Sequence, residues 1–241
     1  MKKPVLSSPV KSRIALALDN LSEKEKIVSL VKATKEYVGV YKIGLEQFVR
    51  FGPSIIHDIK KEQVSIFLDL KLHDIPNTVA KAVVAASGHD VDFLTIHTIG
   101  GLAMMKAAAD AAKTLNHAPT LIGVTVLTSI DQTMLNTEMH IPGSVPDQVC
   151  RLAGMAVSAG LGGIVCSAEE LFSVKPHLPH GFEVITPGIR PEGSSADDQK
   201  RTATPNEAIK NGATLLVVGR PITLSADPQK AARDIVESIT V

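Results

Sequence analysis

Phe67-Leu68-Asp69-Leu70-Lys71-Leu72-His73-Asp74 is an apolar run that turns into alternating charge at the end of a predicted strand. Side chains on a strand alternate faces, so Asp69 and Lys71 point the same way, onto the face that Phe67 shares with a core. Opposite charges on such a face are costly unless they are paired and hydrogen-bonded. That cost makes Asp69 and Lys71 candidates for an active site rather than a surface ion pair.

Similar short apolar runs recur at 14–18, 37–43, 65–70, 91–96, 120–127, 163–166, 183–186 and 214–218, and helical patterns lie between them. Ser22 with Glu25, Ser167 with Glu170 and Thr204 with Glu207 match the capping box that starts helices. Pro205 then takes a first helical position, and Gly212 lies just past that helix. Asp227-Pro228 opens a last helix, with Ala232, Ile235, Val236 and Ile239 at helical spacing. Eight strand–helix pairs in a chain of 241 residues predict an α/β fold, a single-domain (β/α)8 TIM barrel over 13–241. The competitor is a doubly wound open sheet, which uses the same alternation. No Gly-x-Gly-x-x-Gly follows the first run, which leads straight into Asp19-Asn20, and that argues against dinucleotide binding. Residues 1–12 hold Lys2, Lys3, Pro4, Ser7, Ser8 and Pro9 without an apolar stretch, and are expected to be a short disordered leader.

Hydrophobic residues make up 44% of the chain and aromatics 3%, so the core is expected to be aliphatic. The formal net charge is zero, which gives no general attraction to nucleic acid or an anionic membrane. Cys150 and Cys166 are too few for a disulfide framework and suit a reducing, cytoplasmic setting. No run approaches the length of a membrane span. There is no His-Glu-x-x-His, zinc-type Cys/His cluster, Walker motif or Gly-x-Ser-x-Gly elbow, so no metal site is expected.

In such a barrel the active site lies at the C-terminal ends of the strands. Asp19, Lys42, Asp69 with Lys71, His97, Thr128 with Ser129, Arg190 and Gly219-Arg220 fall at or just beyond successive strand ends. Simpler readings stand beside several of them. Asp19 could merely shape a turn, Lys42 could be a snorkelling lysine, His97 a buried hydrogen-bonded histidine and His73 a loop residue. Gly219 lets a phosphate approach backbone amides, and Arg220 can fork onto its oxygens. The polar segment 191–203 reads as a lid or a disordered loop, and as a lid it would place Gln199 to close over that phosphate.

With Asp69-Leu70-Lys71-Leu72-His73-Asp74-Ile75-Pro76-Asn77-Thr78 in hand, the chain resembles the orotidine 5′-phosphate decarboxylase family. The likeness runs from Ala17-Leu18-Asp19 through Tyr41-Lys42-Ile43-Gly44 and Thr186-Pro187-Gly188-Ile189-Arg190 to Val218-Gly219-Arg220. It implies conversion of orotidine 5′-phosphate to UMP and CO2 without cofactor or metal. By the same resemblance Lys71 donates a proton to C6, Asp69 sits beside the departing carboxylate, and Lys42 and Asp74 complete the charged array. Asp74 and Thr78 would enter the partner's site in a homodimer. Asp19 and Lys42 would contact the ribose, Thr128 (or its neighbour Ser129) the pyrimidine, and Arg190, Gln199, Gly219 and Arg220 the phosphate. The nearest alternative is a magnesium-dependent phosphosugar decarboxylase or synthase of the same superfamily, which also carries Asp-x-Lys-x-x-Asp. A non-catalytic phosphoribosyl-ligand sensor on the same scaffold is a further one.

Overall fold

The computed structural model describes residues 10–191 and 202–239. These form a closed barrel in which neighbouring strands run parallel in sequence order and the last pairs with the first. The strands are β1 (Ile14–Ala17), β2 (Val40–Gly44), β3 (Ser65–Leu72), β4 (Phe93–His97), β5 (Thr120–Val124), β6 (Gly163–Val165), β7 (Glu183–Thr186) and β8 (Leu215–Val218). Around them stand α1 (Lys24–Thr34), α2 (Leu45–Phe51), α3 (Ser54–Lys60), α4 (Pro76–Ser87), α5 (Gly101–Lys113), α6 (Val145–Ala159), α7 (Leu171–Val174), α8 (Pro205–Asn211), α9 (Arg220–Thr223) and α10 (Pro228–Ser238). The expected barrel is therefore the observed one, and the open-sheet alternative falls.

Strand alternation divides the apolar residues into two cores. Ala15, Ala17, Val40, Phe67, Ile122 and Ile185 are among those that fill the barrel interior, where Phe67 and Phe93 meet edge to face with ring centroids 6.0 Å apart. Their sequence neighbours, such as Leu16, Tyr41, Ile66 and Leu94, face outward and pack under the helices. Both faces of each strand are thus buried, which is why the runs read as nearly continuous aliphatic segments.

Several boundaries differ from those expected. Residues 37 and 38 turn rather than pair, the Tyr37 and Val38 amides donating back to Thr34 O, while Gly39 N–H donates to Lys11 O and Gly39 O accepts Ser65 N–H. Val10 to Ser12, assigned to the leader on composition, belong to the fold through that bond and a 3-10 turn at Lys11–Arg13. Residues 1–9 lie outside the described part. β5 stops at Val124, leaving Val126 and Leu127 to line the barrel mouth. The boxes at Ser167/Glu170 and Thr204/Glu207 form, and Asp227 caps α10 by accepting Lys230 N–H. The box at Ser22/Glu25 does not: α1 starts one residue later, after Glu23. The loop before it is committed to the mouth, with Asn20 left-handed at φ 63° and its N–H donated to Glu46 Oε2. Among the described residues no helix is long and apolar enough to cross a membrane.

Candidate active site

A cavity of about 440 Å³ opens at the C-terminal mouth of the barrel. β1 delivers Asp19 to it, β2 delivers Lys42, and β3 delivers Asp69 and Lys71. Lys42 Nζ lies 3.1 Å from both Asp19 oxygens and 3.5 Å from Asp69 Oδ2, and Lys71 Nζ lies 2.9 Å from the same Asp69 oxygen. The four side chains form one line of alternating sign. Lys42 and Asp69 are each only 8% exposed, so the pairing offsets a real desolvation cost. Gly44 makes room for it: a Cβ there would stand 2.7 Å from Asp19 Oδ1 and 3.2 Å from Lys42 Nζ.

Burial pushes the Asp69 carboxyl up. The charges of Lys42 and Lys71, with hydrogen bonds from Lys71 and Thr95, outweigh that and hold it below the usual carboxylate range. Asp69 is therefore an anion throughout the neutral range, a fixed negative charge between two ammonium groups.

Asp69 and Lys71 do meet, but by a different route from simple alternation. β3 and β4 are in register at Phe67/Phe93 and Leu68/Leu94, then resume at Leu72/Ile96, so Asp69, Leu70 and Lys71 stand opposite Thr95 alone. This bulge puts Lys71 at φ 50°, a left-handed conformation rare for a residue with a side chain.

The mouth also holds Arg190 beyond β7 and Gly219 and Arg220 beyond β8, as expected, and Thr128 lines the cavity while Ser129 is exposed outside it. Beyond β7, Arg190 N–H donates to Ala203 O at 2.9 Å. Gln199 lies outside the described residues. Asp74 and Thr78 do not join the array within one chain. Both are exposed, and Asp74 Oδ1 accepts the Ile75 N–H at 2.6 Å as the chain turns outward into α4. His97 corrects the expectation of a satisfied histidine. Its Nδ1 is buried with no hydrogen-bond partner among the described residues, and its ring lies 5.6 Å from that of His73.

Three residues of the site were not singled out for their roles in the sequence: Thr95, which bonds both Asp69 and Lys71, Gly44, and the mouth-lining Asn20. Thr95 carries the signal that revealed Asp69, a polar residue on the inward face of an apolar run. Among the described residues no group of three or more His, Cys, Asp or Glu could hold a metal ion.

A closed parallel barrel with a line of paired charges at the ends of β1, β2 and β3 defines a (β/α)8-barrel enzyme with its site at the strand C-termini. The chain belongs to the Orotidine 5'-phosphate decarboxylase / HUMPS family, which it matches over residues 12–235. The orotidine 5′-phosphate decarboxylase of Nitrosococcus oceani is 46% identical over 230 residues, covering 95% of this chain and 98% of its own length. That of Moorella thermoacetica is 44% identical over 236 residues, covering 95% of this chain and 92% of its own. The crystal structure of the Lactobacillus acidophilus orotidine 5′-phosphate decarboxylase matches with a TM-score of 0.83 at 35% identity, over 95% of this chain and 99% of that one.

Proposed function

We propose that this chain decarboxylates orotidine 5′-phosphate to UMP and CO2, the closing step of de novo pyrimidine nucleotide synthesis, in the cytoplasm. The observation that carries the reading is the line Asp19–Lys42–Asp69–Lys71 at the mouth of the barrel. In the reaction the bond from C6 to the carboxylate breaks, its electron pair stays on C6, and CO2 leaves. Lys71 Nζ gives C6 a proton, and the neutral amine takes another from solvent.

The C6 carbanion lies in the ring plane with no carbonyl placed to delocalise it, so its charge must be met electrostatically. An ammonium at ~4 Å and an effective dielectric of ~20 contributes about 4 kcal/mol. Enzymatic barrier reductions run to about 8–23 kcal/mol, so one ion pair is insufficient. The remainder is assigned to the fixed array, already oriented before substrate arrives, and to binding of the phosphate. In this reading Asp69 flanks the leaving carboxylate, Asp19 and Lys42 hold ribose hydroxyls, and Thr128 meets the pyrimidine. Arg190, Gln199, Gly219 and Arg220 hold the phosphate.

The active form is a homodimer in which Asp74 and Thr78 complete the partner's site. Two features support this. Asp74 and Thr78 are exposed beside the mouth, and apolar Ile75 just before α4, Val84 on it, Ile99 in the turn before α5 and Leu102 in its first turn are exposed, while α4 and α5 pack together.

The test follows absorbance as orotidine 5′-phosphate is consumed, with and without exhaustive EDTA. Full activity in chelator is expected, whereas loss restored by magnesium would favour the phosphosugar branch of the family. Lys71→Ala is expected to keep the fold and UMP binding while turnover disappears. Retained turnover would remove Lys71 from the mechanism.

A further inference from the structure

Thr95 is completely buried on the inward face of β4, between Phe93 below it and His97 above. Its Oγ1 accepts the Lys71 N–H at 2.8 Å and donates to Asp69 Oδ1 at 3.0 Å. The directions are forced, since an amide can only donate and an ionised carboxylate can only accept. One hydroxyl thereby ties together the backbone of Lys71 and the side chain of Asp69, the two ends of the bulge in β3.

Both bonds bear on geometry. The bulge removes Lys71 N–H from the regular ladder, and without Thr95 that part-buried amide would lose its partner while the chain is held at φ 50°. At Asp69 the two oxygens are divided: Oδ1 takes the threonine proton, and Oδ2 faces Lys71 at 2.9 Å and Lys42 at 3.5 Å. That division sets the rotation of the carboxylate. We propose that Thr95 is a positioning residue for the decarboxylation, holding the Lys71 ammonium and the Asp69 carboxylate in their working orientation without touching substrate.

The inference rests on Asp69 and Lys71 being the catalytic pair. Thr95→Val keeps the shape and deletes the hydroxyl, and Thr95→Ser keeps the hydroxyl. Turnover is measured with orotidine 5′-phosphate and binding with UMP. For Thr95→Val, kcat is expected to fall roughly 10- to 100-fold, the scale of a lost hydrogen bond to a charged group, with UMP affinity unchanged. Thr95→Ser is expected to return kcat to the wild-type value. Should the valine variant not fold, Thr95→Cys, with its weak thiol donor, makes the same comparison. Wild-type kcat without the hydroxyl overturns the proposal. So does equal impairment of the serine variant, or a parallel loss of UMP binding, since either marks a packing role. Lys71→Ala assayed alongside separates the two claims. Turnover by that variant defeats the Lys71 reading, whereas its inactivity beside a fully active Thr95→Val defeats only the role of Thr95.

Discussion

His97 ends β4 with a buried Nδ1 that has no hydrogen-bond partner among the described residues. Burial, then the neighbouring His73 and Lys71, push its protonation below the usual histidine range. The native state thus binds a proton less readily than the unfolded chain. The resulting stability is fully present above the unfolded pKa of about 6.5 and is lost as pH falls from there through the folded pKa. Urea unfolding of wild type and His97→Gln at pH 7.5 and pH 5 checks this. Wild type is expected to lose more stability than the variant on acidification, and equal losses would show that His97 does not titrate with folding. Asp69, Lys71 and Lys42 were legible in the sequence because charge inside an apolar run is costly. The unmet nitrogen of His97 was not, since satisfaction depends on what neighbouring strands happen to offer.

At the scale of the element, β3 is the informative strand. Lys71 is the one strand residue among those described that is left-handed without being glycine. Such a conformation costs about 1–2 kcal/mol in a residue with a Cβ. Strain of this kind persists where surrounding structure enforces it, commonly at active sites. Lys71→Gly and Lys71→Ala lose the same ammonium, so their difference isolates the backbone. Lys71→Gly is expected to be about 0.5–1 kcal/mol more stable than Lys71→Ala, after its greater unfolded-state entropy is allowed for, with both inactive. Equal denaturation midpoints would mean that the bulge relaxes when lysine is removed. The alternating pattern foretold a strand here but not the bulge, because a bulge is a relation between two strands. The capping boxes divide similarly. Thr204/Glu207 and Ser167/Glu170 close as their spacing indicates, and Ser22/Glu25 is overruled by the path of Asn20.

At the scale of the molecule, the ion line Asp19–Lys42–Asp69–Lys71 within one chain is balanced in sign, two carboxylates against two ammonium groups, and Asp74 stands outside it. If Asp74 completes the partner's site, inactive Lys71→Ala and Asp74→Asn protomers should complement. In a mixed dimer one of the sites has both residues intact. Random reassociation of equal amounts should then restore about a quarter of wild-type activity, and a mixture as inactive as its parts would place Asp74 in its own subunit's chemistry. The order of strands and helices, the closure into a parallel barrel and the residues at the strand ends were determined by the linear chain alone. Hydrophobic periodicity and punctuation are local, and parallel pairing in sequence order follows from short helical crossovers. The tertiary structure alone decided that Asp19 joins the ion line, that Thr95 supports Asp69 and Lys71, and that Asp74 and Thr78 face away. Each is a distance between groups far apart in the chain, set by strand register and by a bulge that no spacing records.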